Sequence, residues 1–82
     1  MKGRAEMPTM VEAHITGTVL KIEKKVGEPV SAGEVVLILE SMKMEMPIEA
    51  PELGYISAIE VEEGQSVSEG DVVAVLDSMM RQ

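Results

Sequence analysis

The chain has 82 residues, no Cys, a single His and a formal net charge of −8. That length suits one domain with a small core, which neither disulfides nor thiolate metal sites can staple, and a lone His14 cannot build a metal cluster. The acidity disfavours a phosphate backbone and the only aromatic residue, Tyr55, offers bases no stacking platform, so nucleic acid is not an expected partner.

In chain order, residues 1–9 read as an N-terminal tail, 10–77 as the folded domain and 78–82 as a C-terminal tail. No basic segment followed by an apolar stretch opens the chain, and the expected location is the cytoplasm. Residues 18–24 and 55–62 are rich in β-branched side chains with apolar positions at short spacing, the pattern of strands. Residues 35–39 and 72–76 are continuous apolar runs whose brevity and valine content favour buried strands. Both fall far short of the ~20 residues that a membrane-spanning helix needs, and no membrane partner is expected. Glycine-bearing turn signals punctuate the chain at Gly17, at Gly27-Glu28-Pro29 and at Gly33, Gly54, Gly64 and Gly70. No window of ten or more residues has helical spacing. The pattern predicts an all-β sandwich or flattened barrel of about seven or eight short strands.

The chain also repeats itself. Residues 11–42 overlay on residues 48–79 without a gap, at a constant offset of 37. Gly17, Gly27 and Gly33 recur as Gly54, Gly64 and Gly70, and Ser41-Met42 recurs as Ser78-Met79. Two copies are too few for a solenoid and imply a pseudo-two-fold fold. The repeat places Met80 opposite Lys43. In the first copy the chain runs on through Lys43 into the second, so the segments 35–41 and 44–50 should form a hairpin with Lys43 at its tip. A hairpin tip is the most exposed place that a β domain offers a side chain. Pro47 lacks a ladder donor, so its strand should be an edge or be bulged there.

The tip reads Glu40-Ser41-Met42-Lys43-Met44-Glu45. It resembles the Met-Lys-Met signature of biotin carboxyl carrier domains, the biotinyl type of the biotinyl-lipoyl attachment family. The likeness extends through Gly17-Thr18-Val19, Val26-Gly27 and Gly33 in the first half, and through Ala50-Pro51, Leu53-Gly54, Glu63-Gly64 and Gly70-Asp71 in the second. It implies two antiparallel four-stranded sheets related by a pseudo-two-fold axis. It also implies biotin joined to Lys43 by a biotin protein ligase that delivers an acyl adenylate. The loaded arm would then carry a carboxyl group from a biotin carboxylase to a carboxyltransferase, with an acyl-CoA carboxylase the expected parent. The carrier itself would catalyse nothing, and the chain has no nucleophile–base pair or phosphate loop that would suggest otherwise. Two departures from the family pattern stand out. Ser41 replaces a common Ala, and His14-Ile15-Thr16-Gly17 replaces a Pro-Met-Pro-Gly-like entry. The ungapped repeat also leaves no room for the protruding thumb that some bacterial carriers insert in the first half.

Around the lysine, strand alternation would turn Met42 and Met44 to the face opposite Lys43, where they either cover the end of the core or offer a soft docking surface. Glu40 and Glu45 are candidates for ligase recognition by charge, or plain solvated hairpin residues. Lys21, Lys24 and Lys25 read as edge or surface charges. A lipoyl carrier of a 2-oxo acid dehydrogenase-type complex shares the expected fold but usually flanks its lysine with Asp and Ala. An unmodified hybrid-barrel interaction module would lack the tip lysine.

Overall fold

Short segments of alternating burial, each closed by a tight turn, make up the whole of the folded chain. The structure is a computed structural model that describes residues 8–78, and these contain eight strands and no helix. The strands are β1 (Pro8–Glu12), β2 (Gly17–Ile22), β3 (Pro29–Val30), β4 (Val35–Ser41), β5 (Met44–Glu49), β6 (Gly54–Ile59), β7 (Ser66–Val67) and β8 (Val72–Ser78). They form two antiparallel four-stranded sheets, ordered β1-β8-β6-β3 and β5-β4-β2-β7. The all-β sandwich expected from the sequence is what forms.

The repeat maps onto this arrangement strand for strand. Moved by 37 residues, β2, β3 and β4 become β6, β7 and β8, and β1 answers to β5. Even the irregularities repeat. The β2–β4 ladder skips Leu20 and the β6–β8 ladder skips Ser57. The β4–β5 ladder skips Val36 and the β1–β8 ladder skips Val73. Each sheet takes two strands from either half, so neither half can close a core alone. Val19, Leu37, Leu39 and Ile48 of one sheet meet Val11, Ile56, Val73 and Leu76 of the other in one buried cluster. Each such aliphatic side chain contributes about 1.5–3 kcal/mol by leaving water.

Four type II turns close the loops, and each uses glycine where φ must be positive: Gly27 (93°), Gly33 (90°), Gly64 (91°) and Gly70 (93°). In each, the side chain of the fourth turn residue accepts a hydrogen bond from the N–H of the first. Glu28 takes it from Lys25 (3.0 Å), Glu34 from Ser31 (2.8 Å), Gln65 from Glu62 (3.0 Å) and Asp71 from Ser68 (2.8 Å). The turns also stitch the halves together, since Gly27 N–H donates to the Ile56 carbonyl and Gly64 N–H to the Val19 carbonyl, both at 2.7 Å. These turns end β2 at Ile22 and β6 at Ile59, short of the predicted residues 24 and 62.

Lys24 therefore lies beyond the strand, and it is not a simple edge charge. Its Nζ sits 3.2 Å from Glu34 and 3.7 Å from Glu28, joining the side chains that close two successive turns. The hydrogen bond to Glu34 raises the Lys24 pKa, while the Ser31 N–H, and then Lys24, hold the Glu34 carboxyl below its ordinary value. In the second half the equivalent place is taken by the buried Val61. Strand pairing starts at Pro8, opposite Asp77, and runs to Ser78, opposite Gly54. It thus takes in residues that the sequence assigned to the tails. Pro47 lies on β5, an edge strand, as expected, and the ladder is regular at its position.

Gly17 opens β2 with an ordinary φ but has no room for a side chain. A Cβ there would lie 2.6 Å from the backbone oxygen of Glu40, near the end of β4. Gly17→Ala should therefore cost about 1–3 kcal/mol, the range for overpacking. A thermal melt should show a drop of several degrees, and an unchanged midpoint would contradict the close approach.

Candidate functional site

β4 leaves the core with Leu39 buried, then Glu40 exposed and Ser41 half-buried, and β5 returns from Met44. The rungs run Leu39 opposite Met46, Glu40 opposite Glu45 and Ser41 opposite Met44. Met42 and Lys43 alone make the connection, with φ of 53° and 65°. A two-residue hairpin turn with both φ values positive is of type I′, whose hand matches the twist of the strands. Such turns usually hold Asn-Gly, because a Cβ in the left-handed region costs roughly 1–2 kcal/mol per residue. Here both residues carry full side chains. The β4–β5 ladder on both sides and the close approach of β2 to the end of β4 hold the turn in place.

The turn throws Lys43 clear of the sandwich, and its side chain is exposed. Among the described residues it takes part in no ion pair. Met42 is 91% exposed and Met44 60%. They therefore do not cover the end of the core, and Met42 does not follow strand alternation, because it belongs to the turn. On the core-facing side of β5, Ile48 is buried, Met46 packs partly against the core and Met44 stands out beyond it. That series carries an apolar surface outward from the interior to the tip.

Glu40 and Glu45 are both exposed and directly opposed across the ladder. Like charges in that relation are destabilising, by an amount comparable to the ~0.2–1 kcal/mol that favourable cross-strand pairs contribute. Their alignment required the exact register and was not legible in the motif. The Gly17–Glu40 approach was likewise missed, since nothing in a glycine's flanks tells a turn from a close contact. His14 lies between β1 and β2 and joins no metal-binding cluster among the described residues. Met80, the repeat partner of Lys43, lies outside the described residues. The site therefore offers one exposed primary amine at a fixed point, edged by two thioethers and backed by two carboxylates. That arrangement suits acceptance of an acyl group.

A family model described as biotin-requiring enzyme matches residues 4–76. Biotinylated protein TB7.3 of Mycobacterium tuberculosis and of Mycobacterium bovis is 45% identical over 38 residues, covering 46% of this chain and 54% of the relative. The match thus spans about half the length of those curated relatives. Among solved structures, the Kluyveromyces lactis urea carboxylase superposes with a TM-score of 0.83 at 33% identity, over 92% of this chain and 7% of that one. A single-chain, multi-domain long-chain acyl-CoA carboxylase superposes at 0.85 and 27% identity, over 99% of this chain and 8% of that one.

The strained turn yields a direct test. Asn accepts positive φ more readily than Met, so Met42→Asn should stabilise the chain by about 0.5–1 kcal/mol, part of the left-handed penalty. The melting midpoint should rise by a few degrees. A fall would mean that the Met42 side chain holds the tip through packing that its exposure does not reveal.

Proposed function

The chain belongs to the biotin-lipoyl attachment family of biotin-requiring enzymes, and from that membership we propose that Lys43 carries the biotin and delivers it to the active sites of a biotin-dependent carboxylase. Within that family the domain is a carrier with covalently bound biotin and is not itself catalytic. The observation that supports Lys43 is its place at the exposed tip of a two-residue hairpin turn.

Attachment needs little from the carrier beyond access. The neutral Lys43 Nζ attacks the carbonyl carbon of an activated biotinyl group, a C–N bond replaces the bond to the activating group, that group leaves with the electron pair, and the nitrogen gives up a proton to solvent. An acyl adenylate held by a biotin protein ligase would release AMP in this step. An acyl group that arrives activated needs no nucleophile activated by the carrier, in contrast to the chemistry of a Schiff-base lysine. When attached, biotin supplies a group that can accept and surrender a carboxyl unit. The chain's own part is to hold the Lys43 Cα still while the side-chain stem swings. Tethering raises the effective concentration of the attached group at each site that the arm can reach.

The partners we propose are the ligase, a biotin carboxylase and a carboxyltransferase, with an acyl-CoA carboxylase as the parent activity. Glu40 and Glu45 would serve the ligase, which must recognise the tip before it can modify it. The presence of an opposed carboxylate pair at a cost to the hairpin supports that role. Met42 and Met44, exposed and adaptable, would make the apolar contact at each docking site.

Intact-mass analysis after treatment with a biotin ligase should show one added biotinyl group on the wild type and none on Lys43→Arg. Labelling of Lys43→Arg at the wild-type level would move the site elsewhere. In the same assay Glu40→Gln should slow labelling while raising thermal stability by about 0.2–1 kcal/mol, as the like-charge opposition is relieved. Slower labelling with lower stability would instead mark Glu40 as structural.

A further inference from the structure

The internal repeat provides a control that few folds offer. Two outer sheet faces share one backbone design, so differences between them are not imposed by the fold. Behind the tip, the outer face of the β5-β4-β2-β7 sheet has one row of Glu45, Glu40, Thr18 and Ser66 and a second of Pro47, Ile38 and Lys21. The equivalent rows on the other sheet are Pro8, Asp77, Tyr55 and Pro29, and then Met10, Val75 and Ala58. One face is polar and charged; the other is largely apolar. Met10 is 51% exposed and Tyr55 47%, and Val75 and Ala58 are only partly covered. The turns bordering β6 follow the same bias. Leu53 precedes it at 45% exposure, and Val26, beside the Gly27 that bonds Ile56, is 63% exposed. Their repeat partners are Thr16 and Glu63. Leu20, whose partner is Ser57, is the exception in the other direction.

We propose that the outer face of the β1-β8-β6-β3 sheet is a second docking surface, centred on Tyr55 and Met10, for an apolar patch edged with Lys and Arg on the carboxylase that this carrier serves. The charge pattern selects that occupant. The four strands carry no Lys or Arg, and their charged residues, Glu12 and Asp77, are exposed carboxylates. A second copy of the same face would set these carboxylates against one another, whereas basic residues at the edge of a partner's patch would pair with them. A face made of four short strands suits a transient hold rather than a permanent subunit interface. It would keep the carrier near its enzyme through a surface that does not include the tip, leaving Lys43 free to move between sites.

This surface rests on the carrier reading, so its test separates docking from biotin chemistry. Tyr55→Thr with Ala58→Lys installs the residues that Thr18 and Lys21 already provide at the equivalent positions of the other sheet, and should fold. Binding of the full chain carrying Lys43→Arg to the biotin carboxylase and carboxyltransferase subunits of the same organism would be measured by surface plasmon resonance. The Tyr55→Thr/Ala58→Lys changes should weaken it about ten-fold or more, as loss of a tyrosine anchor does. Met10→Gln, on a different strand, should weaken it in the same direction. Added salt should weaken the unaltered face more than the altered one. With Lys43 in place, the Tyr55→Thr/Ala58→Lys chain should accept biotin at the wild-type rate, which shows an intact tip. Equal binding by altered and unaltered faces would overturn the proposal. So would sedimentation of the wild type as a dimer that these changes return to monomer, because the face would then serve a second copy. Failure of the wild type to accept biotin would instead contradict the carrier reading, and the binding comparison would still report on the face.

Discussion

A backbone that must reverse direction in two residues, with a side chain on both, is the constraint on which the rest of the site depends. The reversal at Met42 and Lys43 places two Cβ atoms in a region that L-residues avoid. The strands on either side hold it in that conformation. β4 is held between β5 and β2, and the β2 entry is pressed so close to Glu40 that only glycine fits. The result is an exposed lysine whose backbone is held by the flanking strands, the geometry that the proposed role as an acyl acceptor asks for.

The same support explains the architecture. In a chain of 82 residues without disulfides, a stable scaffold for a strained tip must come from interleaving. Each sheet draws on both halves of the repeat, and the type II turns bond each half to the other. Within that shared frame the halves differ at particular places. One copy continues through a lysine tip. One sheet carries charge on its outer face, and the other carries Tyr55 and Met10. Lys24 ties two turn-closing carboxylates together in the first half, while Val61 fills the equivalent place with an apolar side chain.

Much of this was legible beforehand, and the reasons are specific. The repeat and the glycine spacing mark turns that need positive φ, and the valine-rich runs between them mark buried strands. Lys43 stood out because Met-Lys-Met falls at the junction of the copies. What escaped was whatever depends on conformation at one residue or on register between two strands. Met42 and Lys43 carry no glycine or asparagine to announce a left-handed turn, so alternation was carried through them and misplaced Met42. The opposition of Glu40 and Glu45 exists only once the hairpin is in register. The Lys24 bridge joins residues ten positions apart through a fold that its flanks do not specify. The contrast between the two outer faces needs the pairing table before the repeat can be used to compare them.

The central claim is that the folded hairpin, rather than the local motif, makes Lys43 an acceptor. The most direct measurement compares the initial rate of biotin transfer by one ligase to the intact chain and to a linear peptide spanning residues 35–50. An isolated two-stranded hairpin is marginal in water, and this one has an unfavourable turn. Rapid labelling of the intact chain, with the peptide scarcely modified at the same concentration, is the expected result. Equal rates would show that the ligase reads the sequence around Lys43 without the fold, and would contradict the account.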